Sequence, residues 1–291
     1  MINRRAIYAL PEEMFRFYKM NLAYLEAHAV DPDKRRYAVE GEAVKHYIDL
    51  DSYLDHCPVY DSLQCYLPVY WNFTSDSLAN SGFAEHGILP WNLSFQVYRL
   101  TKAFKEGSAE RILRLSAEIG HYAGDACVPL HTTSNYNGQL TGQVGIHALW
   151  ESGIPEHFSD QYIIYLKKAD YLSDIQHSVW DVVLESHALL DSVLDTEKNL
   201  RESCRPDLMY TSTGNDRSSN ITYSDHYISE WEKDVGQMVE RRMKRSAHFI
   251  ASLWYTAWIN AGQPDLSDKG LPGCLMLSDG KASDGEDFEH H

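Results

Sequence analysis

The stretch GHYAGDACVPLHTTSNYNGQLTGQVGIHALWE, residues 120–151, organises the rest of the chain because it places five potential metal ligands on two short helical segments joined by a polar loop. The five are His121, Asp125, His131, His147 and Glu151. Residues four apart on a helix lie on one face, so each of the two pairs with this spacing can reach a single metal ion. Pro129 cannot donate to a helix ladder and disfavours helix just before it, so the first helix should end nearby and leave His131 on the loop. The pattern therefore predicts a metal site rather than a segment of core.

Composition and charge limit the class of protein. The chain has 291 residues, of which 44% are hydrophobic and 12% aromatic, so it can bury a sizeable core. We expect one domain over residues 1–261 and a poorly ordered tail over residues 262–291, which is rich in Gly, Asp and Ser. The formal net charge of −16 argues against a protein that holds nucleic acid through a broad basic surface. The cysteines show no CxxC spacing, so no thiolate zinc site is expected, although Cys57 and Cys65 could pair if the chain is exported.

Apolar residues recur at helical spacing along most of the chain, which predicts an all-α, single-domain, multi-helix bundle. The predicted helices cover residues 11–29, 90–106, 155–168, 172–194 and 223–261, and a further helix begins after the N-cap residue Ser108. Residues 201–221 are predicted to form a polar loop, and no strand pattern of useful length is present. No apolar run reaches 18 residues, so no transmembrane segment is expected, and the amino terminus lacks the apolar region of a signal peptide.

Asp125 lies between His121 on its own helix and the loop of His131, so its two oxygens can bridge neighbouring metal ions. Closely spaced zinc ions that share a carboxylate suit phosphodiester hydrolysis, because they activate water and stabilise charge on phosphoryl oxygens. Single histidines are more often structural, and this is expected for those without partner spacing: His28, His56, His86, His157, His177, His187, His226 and His248. Cys127 has no neighbouring base and is expected to be a small buried thiol.

The order and spacing of these residues resemble those of the zinc-dependent bacterial phospholipases C and of the fungal single-strand-specific zinc nucleases. The shared motifs are HxxxDxxxPLH from His121 to His131, the pair Asn135 and Tyr136, and GxHxxxE from Gly145 to Glu151. The final Glu is nearer to the phospholipase branch, and the similarity covers most of residues 2–261. The resemblance implies an all-α bundle of this type and hydrolysis of a phosphodiester by metal-activated water.

The resemblance also implies upstream ligands. Asp31 and His46, the latter in HYID, match an Asp and a His that these families use. The implied first zinc is held by Asp31, His46, His121 and Asp125, and the implied second zinc by His131, His147 and Glu151. The family residue that corresponds to Asp31 is also a favoured candidate for orienting or deprotonating the attacking water.

The amino terminus departs from the family pattern. Family members begin the mature chain with a Trp that binds a third zinc and add a His shortly afterwards, whereas this chain begins at Met1 and Ile2. Two zinc ions are therefore expected, with the third site lacking its amino-terminal ligands; either a longer amino terminus with a signal peptide once preceded the chain or the protein works with two metals. The family resemblance implies a location outside the cytoplasm.

Substrate contacts follow the resemblance less closely. Pro32 and Ala43 stand where the phospholipases carry aromatic residues that cradle choline, so a choline lipid is not supported. Lys34 stands where the nucleases carry an Arg thought to steady the transition state, and Tyr136 is the expected aromatic contact. We therefore expect a phospholipase C-like hydrolase of a small-molecule or lipid phosphodiester. The alternatives are a nuclease or nucleotidase that takes only single-stranded nucleic acid, and a catalytically silent metal-binding domain.

Overall fold

A computed structural model describes residues 1–54, 83–213 and 220–267, and these residues are mostly helical, as predicted. The helices in chain order are α1 (Ile2–Ile7), α2 (Glu12–Met20), α3 (Leu22–Ala27), α4 (Asp31–Arg35), α5 (Leu50–Leu54), α6 (Leu89–Glu106), α7 (Ala109–Asp125), α8 (Ile146–Ala148), α9 (Ile154–Phe158), α10 (Ile175–His187), α11 (Leu190–Ser203), α12 (Pro206–Met209) and α13 (Asp225–Asn260). Short 3₁₀ turns cover Ala43–Lys45, Phe83–His86 and Pro129–Thr132, and a π-helical turn, Leu149–Gly153, joins α8 to α9. The strands β1 (Tyr210–Thr213) and β2 (Asn220–Tyr223) form an antiparallel pair in which Tyr210 lies opposite Tyr223.

The long helix α13 contributes side chains to both clusters of the hydrophobic core, and its predicted extent is confirmed. Ser224 caps its start by accepting a hydrogen bond from the backbone N–H of Tyr227 at 3.1 Å, and Gly262 follows its end with a φ of 87°. Its carboxyl-terminal half packs against α1, α6 and α7, where Trp254 stacks on Tyr18 with ring centroids 4.7 Å apart. Its amino-terminal half packs around Trp231 against the π-helical turn and α11. The aromatic stripe of this helix is thus core, and fully burying such side chains contributes about 1.5–3 kcal/mol each.

Helices α6 and α7 form a hairpin whose turn follows the sequence signals. Gly107, with a φ of 71°, ends α6 in the left-handed conformation that favours glycine. Ser108 then accepts a hydrogen bond from the N–H of Arg111 at 3.4 Å, which confirms its prediction as an N-cap. The hairpin presents the carboxyl-terminal turn of α7, with His121 and Asp125, to the region where the candidate ligands meet.

The predicted helix at 155–168 is wrong beyond Phe158. Residues 163–172 form no helix and run beside α13 and the turn that follows α1, with the N–H of Ala169 donating to Ala9 O at 2.9 Å and the N–H of Asp170 donating to Ser252 Oγ at 3.1 Å. Side chains here alternate between exposed and packed positions. Ile163 is exposed, for example, whereas Ile164 packs against the core. This period of two indicates an extended segment and competes with the helical spacing on which the prediction rested.

Other boundaries also differ. The predicted helix at 172–194 is two helices, α10 and α11, and the region 201–221, predicted as a polar loop, includes α12, β1 and the start of β2. The predicted helix at 11–29 is interrupted at Asn21, whose side chain donates to Phe17 O at 2.8 Å and competes with the helix ladder.

Three further expectations concern the cysteines, the carboxyl-terminal tail and membrane-spanning helices. Cys127 is a buried free thiol, as expected, whereas Cys57 and Cys65 lie outside the described residues. Of the expected tail, residues 262–267 are described, and Leu266 is buried in the same core cluster as Trp258; residues 268–291 lie outside the description. None of the helices in the described ranges has the length and apolarity needed to cross a membrane.

Candidate metal centre

Four side chains from three segments form what we call the first ligand group: Asp33, His46, His121 and Asp125. The Nδ1 of His46 lies 3.0 Å from both Asp125 Oδ2 and His121 Nε2, and 3.8 Å from Asp33 Oδ1. The Nε2 of His121 lies 3.4 Å from Asp125 Oδ2 and 3.5 Å from Asp33 Oδ1. Two ring nitrogens therefore face each other between two carboxylates.

The structure does not bring Asp31 to this group. Its carboxylate accepts hydrogen bonds from Lys34 Nζ at 2.9 Å and contacts His28 Nδ1 at 2.6 Å. Burial alone would raise the pKa of Asp31, but these two neighbours outweigh burial and lower it. Asp33, two residues further along α4, is the carboxylate beside the histidines. The sequence DPD offered both acids, and the resemblance favoured the first of them.

We call His131, His147 and Glu151 the second ligand group. His131 Nε2 lies 3.0 Å from Glu151 Oε1, and His147 Nε2 lies 3.0 Å from Glu151 Oε2. The other nitrogen of each ring faces a backbone carbonyl: His131 Nδ1 lies 2.5 Å from His46 O, and His147 Nδ1 lies 3.1 Å from Tyr136 O. A carbonyl only accepts, so each Nδ1 carries a proton, and Nε2 is the nitrogen of each ring that a metal could bind. The predicted spacing of His147 and Glu151 is met across the junction of α8 with the π-helical turn.

His131 is held by residues 46–48 through two contacts. The N–H of Ile48 donates to His131 O at 2.9 Å, and His131 Nδ1 contacts His46 O. These contacts join the segment of the first ligand group that carries His46 to the segment of the second that carries His131. Beyond it, Asp51 accepts hydrogen bonds from Thr133 Oγ1 at 2.8 Å and from Ser134 Oγ at 2.7 Å. The start of the polar loop is thereby fixed to α5.

Asp125 interacts electrostatically with histidines of both ligand groups. Burial alone would raise its pKa, but the charges of His121, His131 and His46 outweigh burial and lower it. Burial likewise lowers the pKa of His131, yet Glu151 and Asp125 more than compensate and raise it to about 9. The pKa of Glu151 lies well below its ordinary value because its two histidines outweigh its burial. The lowered pKa values favour the ionised forms of the Asp125 and Glu151 carboxylates, whereas His131 keeps a proton that a metal would have to displace.

The donor set fits zinc. Zinc–nitrogen distances of about 2.0–2.1 Å place two ligands of a tetrahedral site roughly 3.3 Å apart. The ligand atoms of the first group are separated by 3.0–3.8 Å, and those of the second group lie 3.0 Å from the carboxylate oxygens they face. Two sets of side chains are close enough to hold a metal ion each. One is Asp33, His46 and His121 of the first ligand group, and the other is the second ligand group.

A cavity of about 660 Å³ opens onto both groups. Its wall includes candidate ligands of each group, Met1, Asn3 of α1, and Arg242 and Ser246 of α13. Arg36 also lines it and has no ion-pair partner within the described ranges, whereas Arg242 donates to Cys127 O at 3.0 Å and to Ser186 Oγ at 2.6 Å. Sequence reasoning missed Asp33 and Arg36. Both lie in the charged run DPDKRR, where no spacing distinguishes them from the neighbouring charged residues.

The two predicted substrate contacts are placed differently. Lys34 is largely exposed, pairs with Asp31 and does not line this cavity. Tyr136 contributes its backbone carbonyl to His147, and its half-exposed ring lies 6.2 Å from the imidazole.

Comparison of the chain with models of known protein families and with curated proteins found no match.

Proposed function

We propose that the chain is a zinc-dependent phosphodiester hydrolase, similar in chemistry to the phospholipases C that its motifs resemble. The observation that carries the proposal is the meeting of two histidine–carboxylate groups at one cavity, with Asp125 of the first group also feeling the charge of His131 in the second. The first group would hold one zinc through Asp33, His46, His121 and Asp125, and the second would hold another through His131, His147 and Glu151. Zinc bound there supplies Lewis-acid polarisation of a phosphoryl oxygen and acidification of water.

The chain's own residues prepare the cavity for such a substrate. The backbone carbonyls at His46 and Tyr136 keep the protons of His131 and His147 on Nδ1, so that both Nε2 atoms stay aimed at Glu151. Arg36, which forms no ion pair with any other described residue, lines the cavity wall, where it can bind a phosphate oxygen. A cavity of about 660 Å³ lies within the range of 300–1,000 Å³ typical of small-molecule sites.

The test combines metal analysis with turnover. Chelator-free purified protein is analysed for zinc and assayed with bis(p-nitrophenyl) phosphate, alongside Asp125→Asn and the control Asp160→Asn, which removes an exposed acid from the same cavity wall. The proposal expects two zinc ions and hydrolysis, both reduced in Asp125→Asn and retained in the control. Absence of tight metal overturns it, whereas tight metal without hydrolysis of this diester, of phospholipid or of single-stranded DNA favours a silent metal-binding domain.

A further inference from the structure

A fully buried carboxylate lies behind the second ligand group. Glu197 of α11 has no exposed surface, and its oxygens accept hydrogen bonds from Gln143 Nε2 at 2.6 Å, from Arg201 Nη2 at 2.6 Å and from Tyr227 OH at 2.8 Å. A buried charge costs several kcal/mol unless it is paired and hydrogen-bonded, and all of its neighbours here are donors. The arrangement therefore has one defined geometry, because a shift of any donor leaves the charge uncompensated.

We infer that Glu197 is a positioning residue for the second ligand group, acting through the segment 143–145 from which α8 begins. The inference rests on the proposed function in that this group is taken to bind metal. Glu197 itself touches none of the three ligands. It fixes the chain that delivers His147 and, one turn later, Glu151.

The first connection runs through Gln143, which is 1% exposed. Its side chain donates to Glu197 and, at 2.7 Å, to Leu194 O, while its backbone carbonyl accepts from the N–H of Ile146, the first residue of α8, at 3.1 Å. The buried carboxylate is thus joined by two consecutive hydrogen bonds to the helix that carries His147.

The second connection runs through Arg201 and Tyr223. Arg201 Nη2 donates to Tyr223 OH at 2.7 Å, and that hydroxyl donates to Val144 O at 3.0 Å. Gly145 follows with a φ of 101°, and a β-carbon on it would lie 3.0 Å from the Tyr223 ring, so both the backbone conformation and the space favour glycine here.

The two connections also reach the carbonyl that orients His147. The N–H of Gly145 donates to Asn137 O at 3.2 Å and to Asn137 Oδ1 at 3.1 Å, which ties segment 143–145 to the residue after Tyr136. Tyr136 O in turn accepts from His147 Nδ1. Loss of the Glu197 contacts should therefore disturb both the position of His147 and the bond that sets its tautomer.

The test uses Glu197→Gln in the full chain, with Glu118→Gln as the matched control. Glu118 is also buried and also pairs with an arginine, with Arg35 Nη1 at 3.1 Å, but it lies on α7 away from segment 143–145. Metal-free protein is titrated with Co²⁺, whose visible spectrum distinguishes sites by their ligands. Loss of a partner that orients a metal ligand typically weakens affinity about 10–100-fold, and we expect this loss at the second group of Glu197→Gln alone.

Two further measurements test the role of Glu197 independently. Gln143→Met cuts only the first connection and leaves the Glu197–Arg201 pair intact, so it should reproduce the loss if Glu197→Gln does not fold. In metal-free protein, ring ¹⁵N spectra should show His147 protonated on Nδ1 in the wild type and as a mixture of tautomers in either variant. Unchanged Co²⁺ affinity together with an unchanged tautomer overturns the positioning role, whereas a wild type that binds no Co²⁺ overturns the proposed function and leaves the tautomer to decide this inference.

Discussion

Asp33 Oδ1 lies 3.5 Å from His121 Nε2, whereas Asp31 lies on another side of the same short helix and is bound to His28 and Lys34. The two acids differ by two positions on α4, so one rotation of about 200° separates their directions. The choice between them is the sharpest difference between the site implied by family resemblance and the site assembled in the structure.

We expect Asp33→Asn to lower the affinity for one of two metal ions, because it removes a charged donor from the first ligand group. Loss of a residue that only orients a ligand typically lowers metal affinity about 10–100-fold, so loss of the donor itself should cost at least as much. Asp31→Asn is the matched control and should keep both metals. Isothermal titration of each metal-free variant with Zn²⁺ measures the difference. The reverse pattern would return the ligand role to Asp31.

Glu151→Gln should abolish metal binding at the second ligand group, since both His131 and His147 face this one carboxylate. In the metal-free variant the pKa of His131 should fall from about 9 towards its ordinary value, because Glu151 is the leading cause that raises it. Zinc stoichiometry and an NMR titration of the His131 ring measure the two effects. Glu156→Gln removes an exposed acid from the same cavity wall and should change neither; a His131 pKa that stays near 9 in Glu151→Gln would contradict the assignment.

Metal binding should release a proton at neutral pH. His131 has a pKa of about 9 in the metal-free protein, so it is protonated at pH 7.5 and must lose that proton to ligate. The affinity of the second group should therefore rise by about one order of magnitude per pH unit up to about pH 9 and then level off. Calorimetry in two buffers of different ionisation enthalpy counts the protons, and a binding enthalpy independent of buffer would refute the expectation.

Asp49 should make the folded state less stable as pH rises through the acid range. Burial, and then the charge of Asp51, raise its pKa from 3.8 to about 6 against the opposing effect of His86. Between these two values the unfolded chain loses a proton that the folded chain retains, so the free energy of unfolding falls across this window and is flat above it.

Asp49→Asn should therefore be more stable than the wild type at pH 7 by up to about 3 kcal/mol and equal to it below about pH 3.8. Asp51→Asn is a control of opposite sign, because the pKa of Asp51 is lowered: the hydrogen bonds from Ser134 and Thr133 outweigh its burial. It should lose stability at pH 7. Urea denaturation between pH 3.5 and 7 measures both, and equal slopes for Asp49→Asn and the wild type would show that Asp49 is not responsible.

The helical spacings in the sequence determined the local parts of this protein. His121 and Asp125 share a face of α7 because residues four apart on a helix must do so, and Ser108 and Gly107 mark the hairpin because their backbone preferences are local. The long aromatic pattern of α13 was equally readable, since burial of one face repeats every turn.

Only the tertiary structure decided how these parts meet. The contact of His131 with His46 O joins residues 85 positions apart, and the choice of Asp33 over Asp31 depends on how α4 rotates against α7; neither is encoded in a local spacing. The extended course of residues 163–172 was likewise decided by packing along α13, which supplied side-chain acceptors that a helix would not have needed. Helical spacing therefore identified four of the candidate ligands, and the packing of helices on one another determined which residues converge.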